Sequence, residues 1–249
     1  MITATKNLST EAMSKILEGK NNEYSLLYFP FHGVVAALRA MLAMSGANVT
    51  FIQPNDWPVE KNETQFGHMP VLYETDPTTK KTLELTELSV LEEHIGRKFD
   101  FLGSNAWESN QILAYNSSTQ SLFDKFVTLV IRTSPELRET MREAFVNDFI
   151  GGWAKFHERN LQDNIAGGIS KQGYYMGEKL SLADLKTVMV VPMMRKLSGD
   201  RFISEEKTPG ILKVCEMVEA DERYKKWTAS DDLKLFNEVT KQRFGIFGI

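Results

Sequence analysis

The sequence predicts a protein of two unlike halves, an α/β half followed by an all-helical half. Short apolar runs with strand character occur only before about residue 86. A stretch rich in helix formers separates the first two of these runs, which is typical of a strand–helix–strand unit with parallel strands. Beyond residue 106 only helix-forming stretches remain, and 249 residues are enough for two modest domains that each bury a core.

The elements of the α/β half follow one another from residue 24. They are a strand, a helix and a second strand, then two strands close enough for a hairpin, and a final helix: residues 24–29, 34–44, 49–52, 70–73, 82–85 and 87–98. Pro30 closes the first strand. Gly46 ends the first helix because glycine adopts the left-handed conformation that commonly follows a helix. Residues 53–66 are polar and are predicted to form a loop.

The remaining sequence divides into an N-terminal extension, a linker and the helical half. In the extension, residues 1–22, Ser9 or Thr10 is expected to cap a short helix that ends at Gly19. The α/β domain is predicted at residues 23–102 and the helical domain at residues 107–249. Within the latter we expect five helical stretches: residues 107–133, 135–161, 182–196, 209–220 and 231–241.

Composition argues against several classes of function. With 33 acidic and 29 basic side chains the net charge is −4, which disfavours non-specific binding to nucleic acid or to an acidic membrane. No run of eighteen apolar residues predicts a membrane span, and residues 1–23 have no apolar core of a secretory signal. Cys215 is the single cysteine, so no intramolecular disulfide forms, and a cytoplasmic protein with a buried, inert thiol is expected.

Tyr28 stands at the end of the first predicted strand, just before a loop and a helix N-terminus. Open α/β sheets bind ligands at this position. A tyrosine hydroxyl there can donate a hydrogen bond to an anion, and such a charge-assisted bond contributes about 1.5–3 kcal/mol. Since one pKa unit corresponds to about 1.36 kcal/mol, the bond could lower the pKa of a bound thiol by about one to two units. A tyrosine that merely packs at a strand end is the alternative.

Other candidate binding residues lie near the third strand. Pro70, which follows Met69, is either an ordinary trans-proline or a cis-proline that leaves the Met69 backbone N–H and C=O free for a peptide-like ligand. Trp57 and Lys61 carry donors suited to a carboxylate, although a packed indole and a solvated ammonium are the simpler interpretations. Glu87 either accepts from a ligand ammonium group or favours the helix dipole. The four histidines match no metal-ligand spacing, so we expect no metal.

These residues together resemble the glutathione transferase family, and are closest to its pi and sigma-like tyrosine classes. The run from Tyr24 to Pro30, with the helix around Arg39, is similar to the family's first strand and helix. The run Phe66-Gly67-His68-Met69-Pro70 resembles the segment with the family's cis-proline, and residues 180–184 resemble a capping box of its helical domain. The resemblance covers residues 24–236 and implies a thioredoxin-like N-terminal domain.

The resemblance also implies roles for single residues. Tyr28 would donate to the glutathione sulfur, and Trp57 with Lys61 would hold the glycyl carboxylate. The Met69 backbone, before a cis Pro70, would pair with the cysteinyl part. Glu87 would meet the γ-glutamyl ammonium. Glutathione would be a co-substrate, with no resident cofactor.

Three positions depart from the family pattern. The family usually has a serine where this chain has Leu88, so that only a backbone N–H is left for the γ-glutamyl carboxylate. Val34 replaces a frequent arginine, and Ser121 replaces an acidic residue that reaches the site from the helical domain. One lost bond to a charged group weakens affinity about ten- to a hundredfold.

We therefore expect an enzyme that transfers glutathione sulfur to a small apolar electrophile. The electrophile would lie between the halves, near Phe31, His32, Tyr115 and Ile131. The alternative is a non-catalytic module for binding, scaffolding or assembly, and a thiol–disulfide oxidoreductase is disfavoured because no cysteine lies near Tyr28. Phe66 corresponds to an aromatic residue that some classes insert into a partner subunit, so a homodimer is expected.

Overall fold

The computed structural model describes residues 2–245. Residue 1, at the start of the predicted extension, and residues 246–249, at the end of the predicted helical domain, lie outside the described residues. Within residues 2–245 there is no helix whose length and apolar content would let it span a membrane.

The N-terminal extension folds against the edge of the sheet. Helix α1 (Thr10–Glu18) is capped by the Ser9 side chain and ends at Gly19, as predicted. Asn22 donates one hydrogen bond to the Ile16 carbonyl and one to the Glu74 carboxylate, both 2.6 Å long. Further along, the Thr5 backbone N–H donates to the Thr82 carbonyl at 2.8 Å. Side-chain caps and backbone pairing therefore fix the extension.

The four strands form one mixed sheet in the order β2-β1-β3-β4. The strands are β1 (Glu23–Leu27), β2 (Asn48–Ile52), β3 (Val71–Thr75) and β4 (Thr82–Thr86). Strand β1 is parallel to β2 and antiparallel to β3, and β3 and β4 form the predicted antiparallel hairpin. The predicted strand–helix–strand start and the order of the elements are confirmed.

Three helices accompany the sheet. Helix α2 (Ala36–Met44) follows a 3-10 turn (Gly33–Val35), and α4 is Leu88–Lys98. The prediction of a loop throughout residues 53–66 is wrong, because α3 (Trp57–Glu60) and a 3-10 turn (Lys61–Glu63) lie there. A proline in the first turn of α3 suits a helix start, since the backbone N–H that proline lacks has no partner there.

The second half is built mainly of helices, most of which lie where they were predicted. They are α5 (Ala106–Phe126), α6 (Arg138–Phe145), α7 (Gly151–Ala166), α8 (Leu182–Ser198), α9 (Pro209–Ala220), α10 (Glu222–Thr228) and α11 (Asp231–Phe244). Two predicted stretches contain π-helical turns, Val127–Ile131 and Val146–Ile150. Helix α10, which Asp221 caps, was not predicted because seven residues are too few for a clear period.

One hydrophobic cluster crosses both halves. It joins buried residues of β1, α2 and α4 to residues of α5, α8 and α9, among them Leu38, Leu91, Ile112, Leu185 and Val214. Cys215 packs against this cluster, and its burial raises the pKa of its thiol to about 12, which agrees with the predicted inert thiol. The shared cluster fixes the sheet relative to the helices, and so fixes the loop after β1.

Candidate functional site

Tyr28 lies one residue beyond β1, at the carboxyl end of the strand. Its backbone N–H donates to the Ile52 carbonyl of β2 at 3.1 Å, which continues the parallel pairing. The side chain is buried, and its ring meets those of Phe29 and Phe31 edge-on, with centroids 5.9 and 5.7 Å away. The aromatic rings that follow the strand therefore hold Tyr28 in place.

Gly33 leaves the space that the Tyr28 hydroxyl occupies, next to the 3-10 turn before α2. The glycine has φ +49°, and a Cβ atom there would lie 2.6 Å from the hydroxyl oxygen. Any larger residue would displace the tyrosine as well as strain the backbone. The Val34 N–H faces the hydroxyl oxygen and favours its charged form. The hydroxyl proton then remains available to a ligand.

Burial raises the pKa of Tyr28, and the Val34 N–H with the charges of Arg39, Arg132 and Arg243 offsets part of this rise. The net shift is upward, so the phenol stays protonated at neutral pH. Tyr28 is therefore suited to donate a hydrogen bond to an anion and is not suited to act as a base. Three cations around one phenol also make this part of an acidic protein electropositive.

Arg39 shapes the loop between Tyr28 and the helix, a role that the sequence did not reveal. Its guanidinium is buried and donates to the carbonyls of Phe31 and Phe29 at 2.6 and 2.7 Å. It also lies 3.8 Å from the centre of the Phe236 ring. Burial lowers the pKa of Arg39 to about 10, so the side chain remains charged at neutral pH.

Met69 connects the surroundings of Tyr28 with those of Trp57. The Met69–Pro70 peptide bond is cis, as the resemblance implies. The Met69 side chain packs on one side against Tyr28 and on the other against the cluster of Leu27 and Val71. Within residues 2–245, the Met69 backbone N–H and C=O make no hydrogen bond, which leaves both groups available to a ligand.

Trp57 and Lys61 flank this position from α3 and the turn after it. Trp57 is half-buried and packs on the cluster of Leu27, Val71 and Tyr73, to which Met69 also belongs. Lys61 is exposed, and its ammonium forms no ion pair within the described part of the chain.

Glu87 and Leu88 form the start of α4. Glu87 has φ 69° and ψ 117°, its side chain is about half exposed, and its carboxylate lies 3.9 Å from Nδ1 of His68. Leu88 packs against the cluster of Tyr28, Phe31 and Val35. Its side chain is therefore used for packing, and only its backbone N–H can serve an anionic ligand.

The four residues expected around a second substrate do not lie together. Phe31 packs in one cluster with Tyr28, and His32 follows it in the same loop. Tyr115, in contrast, packs in the cluster that crosses both halves, where its ring lies 4.5 Å from that of Tyr175. Ile131 packs against a third cluster, although the charge of the next residue, Arg132, acts on Tyr28. Tyr115 lies on the face of α5 that packs against α7, and the four positions stay a prediction.

Helix α11 covers the same loop, which the sequence did not indicate. His32 binds it twice, through its backbone N–H to Oγ1 of Thr240 at 3.0 Å and through Nε2 to Oδ1 of Asn237 at 2.6 Å. The ring of Phe244 meets Phe31 edge-on at 5.2 Å. Helical periodicity predicted the helix itself, but its packing partner lies about two hundred residues away in the sequence.

No metal centre is found in residues 2–245, where no group of three or more histidine, cysteine or acidic side chains could hold an ion. Tyr28, the Met69 backbone and the start of α4 make up the candidate site. Its features are a neutral phenol donor, unpaired peptide groups and nearby arginines, at the end of a parallel strand.

Comparisons with known proteins agree with this arrangement. Residues 120–231 match the family model described as Glutathione S-transferase, C-terminal domain. The chain is 24% identical over 163 residues to a glutathione S-transferase of Dirofilaria immitis, with 65% of this chain and 72% of that protein covered. It is 25% identical over 168 residues to human glutathione S-transferase P, with 65% and 71% covered.

The fold of this chain is also that of solved structures. The Fasciola hepatica sigma class GST has a TM-score of 0.68 and 21% identity, with 86% of this chain and all of that chain covered. The architecture is a thioredoxin-like domain followed by a helical domain, with a tyrosine at a strand end opposite a cis-proline. Together with the family model over residues 120–231 and the curated relatives, this architecture supports a member of the glutathione transferase family.

Proposed function

We propose that the protein transfers the sulfur of glutathione to a small apolar electrophile, with Tyr28 stabilising the thiolate. The observation that supports this proposal most is the neutral, buried Tyr28 hydroxyl, whose oxygen faces the Val34 N–H while its proton has no acceptor within residues 2–245. The relatives named glutathione S-transferase support the substrate.

The Tyr28 hydroxyl would keep its proton and donate a hydrogen bond to the glutathione sulfur, which favours the thiolate over the thiol. The thiol proton leaves to solvent, and the sulfur lone pair attacks the electrophilic carbon. A carbon–sulfur bond forms, and the displaced electron pair leaves with the leaving group or moves onto the acceptor. Since the tyrosine acts as a donor only, the reaction needs no resident cofactor.

The tripeptide would be held along a line from α3 to α4. Trp57 and Lys61 would bind the glycyl carboxylate, and the free Met69 backbone groups would pair with the cysteinyl part next to Pro70. Glu87 would accept from the γ-glutamyl ammonium, and the Leu88 N–H would bind the γ-glutamyl carboxylate. The second substrate would lie beside Phe31 and His32.

The Tyr28→Phe variant tests the mechanism because it removes one hydroxyl and keeps the packing of the ring. We expect the pKa of the bound thiol to rise by about one to two units and conjugation at neutral pH to slow by about ten- to a hundredfold. Glutathione affinity should change little. Thiolate absorbance against pH and calorimetry with glutathione measure both effects. A variant with an unchanged rate would exclude Tyr28 from the mechanism.

A non-catalytic binding module is the second candidate. Leu88 and Val34, which lack the polar groups that the family usually has there, favour it, as does the exposed Ser121, whose hydroxyl bonds the Ser117 carbonyl of its own helix. Calorimetry decides between the two: micromolar affinity for glutathione supports the enzyme, and no heat at millimolar ligand supports the binding module.

We further propose that the protein is a cytoplasmic homodimer with Phe66 at the interface. The Phe66 side chain is 55% exposed in the single chain, which leaves its ring free to anchor a second copy. The Phe66→Ala variant should dissociate at a protein concentration where the parent is a dimer in sedimentation experiments. Val59→Ala, an equally exposed apolar site on α3, is the control. A parent protein that is monomeric at micromolar concentration would contradict the proposal.

A further inference from the structure

Helix α11 brings a cation and an aromatic ring to the mouth of the Tyr28 site. The two hydrogen bonds of His32 to Asn237 and Thr240 fix the helix along its axis. One turn further on, the Arg243 guanidinium lies 5.0 Å from the centre of the Phe31 ring and 5.6 Å from that of Phe244. The last turn of α11 is therefore located next to the aromatic residues that contact Tyr28.

Arg243 has no anionic partner in the described part of the chain. The three acidic residues of α11 are directed elsewhere: Asp231 pairs with Lys234 at 2.9 Å, the charge of Asp232 acts on Arg39, and Glu238 accepts from Gln242. Arg243 is exposed and forms no ion pair with a carboxylate. A cation held over apolar rings without a counter-ion favours an anionic ligand.

A second arginine, from a separate element, also acts on Tyr28. Arg132 ends the π-helical turn after α5, is exposed, and also has no carboxylate partner within residues 2–245. Its charge, like that of Arg243, acts on Tyr28. The charges of two arginines from separate elements thus reach Tyr28, and one of them, Arg243, lies over the apolar surface formed by Phe31 and Phe244.

We propose that the second substrate of this site is a flat apolar electrophile that carries an acidic group. Its ring would lie against Phe31 and Phe244, and its carboxylate or sulfonate would pair with Arg243, supported by Arg132. This inference rests on the proposed glutathione transfer and specifies the class of electrophile.

A matched pair of electrophiles tests the inference: 4-chloro-3-nitrobenzoate and its uncharged methyl ester. In both, the glutathione thiolate attacks the carbon that bears chlorine, the carbon–sulfur bond forms, and chloride leaves with the bonding electron pair. Each enzymatic kcat/KM is divided by the uncatalysed rate constant, because the two rings differ in intrinsic reactivity. Calorimetry with each compound in the absence of glutathione measures binding independently of turnover.

We expect the normalised kcat/KM to be about tenfold higher for the acid than for the ester, as a single charge-assisted contact predicts. The Arg243→Gln variant should abolish most of this preference; because the charge of Arg243 also acts on Tyr28, the ratio of the rates with acid and ester, and not either rate alone, is the quantity compared. Lys241→Gln removes the same charge from an exposed position on α11 and should change neither rate. The preference for the acid should also weaken at high salt, because ions screen exposed charges.

The outcomes separate the two proposals. If the acid binds through Arg243 but neither compound is conjugated, the glutathione transfer fails and the anion site stands. If both compounds are conjugated with equal normalised rates, the anion site is excluded and the transfer stands. A loss of glutathione affinity in Arg243→Gln, with both electrophiles affected equally, would assign the arginine to glutathione and overturn the inference. Absence of both binding and turnover would overturn both.

Discussion

Glu87 has a backbone conformation that side chains rarely adopt. Its φ of 69° and ψ of 117° fall in a sparsely populated region where a residue other than glycine costs about 1–3 kcal/mol. The strained residue lies between β4 and α4, and directs a half-exposed carboxylate toward His68. A strained residue at the edge of a candidate site suggests that ligand binding, and not stability, has selected the side chain.

Replacement of Glu87 by glycine should therefore separate stability from binding. The variant relieves the strain, which stabilises the folded state. Glycine also raises the entropy of the unfolded chain, which offsets part of that gain, so we expect a net stabilisation of about 1 kcal/mol. Glutathione affinity should fall by about ten- to a hundredfold because the acceptor for the ammonium group is lost. Urea unfolding and calorimetry measure the two quantities.

Glu87→Gln is the matched control, since it keeps both the strain and an acceptor oxygen. It should leave stability unchanged and weaken binding less than the glycine variant does. A Glu87→Gly protein that is less stable than the parent would show that the backbone conformation of residue 87 does not destabilise the fold.

At the scale of elements, His157 connects helix α7 to two neighbours. Its Nε2 lies 3.0 Å from Oγ of Ser118 on α5, and its Nδ1 lies 3.0 Å from the hydroxyl of Tyr175. The ring also stacks on Trp153, with centroids 4.5 Å apart. Burial lowers the pKa of His157 to about 4, so the side chain is neutral in the folded protein. The packing of these elements therefore depends on an uncharged imidazole.

This burial predicts an acid-sensitive stability. In the unfolded chain the histidine has its ordinary pKa of about 6.5 and binds protons more tightly than in the folded state. The contribution of the neutral His157 to the free energy of unfolding is thus complete above about pH 6.5 and is lost as the pH falls toward about 4. From about pH 7.5 to about pH 5 we expect a loss of about 2 kcal/mol from this residue.

Urea unfolding of the parent and of His157→Gln at both pH values measures the effect. The variant is expected to be less stable at neutral pH but to lack this part of the loss on acidification. Burial raises the pKa of Asp184 to about 6, so protonation of this residue stabilises the fold as the pH falls over the same range. This contribution is the same in both proteins and cancels when their free energies of unfolding are compared. Equal losses in parent and variant would contradict the assignment.

At the scale of the whole molecule, one buried ion pair links the two halves. Lys186 of α8 lies 2.6 Å from the Glu92 carboxylate of α4, and both side chains are almost completely buried. Asn116 of α5 donates to the other carboxylate oxygen at 2.8 Å. Three helices from both halves thus share one polar network inside the common core, which makes their relative position specific.

Lys186→Met should destabilise the protein by about 3–5 kcal/mol, because it leaves the Glu92 carboxylate buried without a counter-charge. The double variant with Glu92→Gln removes both charges and should recover at least about half of that loss. Arg97→Met breaks an exposed pair with Glu93 on the same helix, and should cost less than about 1 kcal/mol. Urea unfolding of the four proteins measures these values, and a double variant no more stable than Lys186→Met alone would refute the argument.

Much of the fold could be read from the sequence because its signals are local. The apolar patterns that distinguish strands from helices repeat over a few residues. The helix signals are equally local: Ser9 caps α1, and Gly46 follows the end of α2. The short helix α3 and the π-helical turns could not be predicted in the same way. Their patterns are too brief or too irregular to differ from those of a loop or an ordinary helix.

The sequence named candidate site residues where a short segment carries the signal, such as Tyr28 at one strand end and Met69 with Pro70 at one strand start. The role of Arg39, which holds the loop after Tyr28, was not recognised because it depends on the folded path of that loop. The face of α5 on which Tyr115 lies could not be predicted either, because its packing against other helices decides it.

The sequence by itself determined the class of fold and the position of Tyr28 at a strand end, and it named candidate residues for a peptide-like ligand. Only the tertiary structure decided that Arg132 and Arg243 act on Tyr28, that Phe244 contacts Phe31, and that Leu88 is used for packing. The physical reason is the range of the interactions. Capping and periodicity act within a few residues, whereas charge and packing act through space between elements that are distant along the chain.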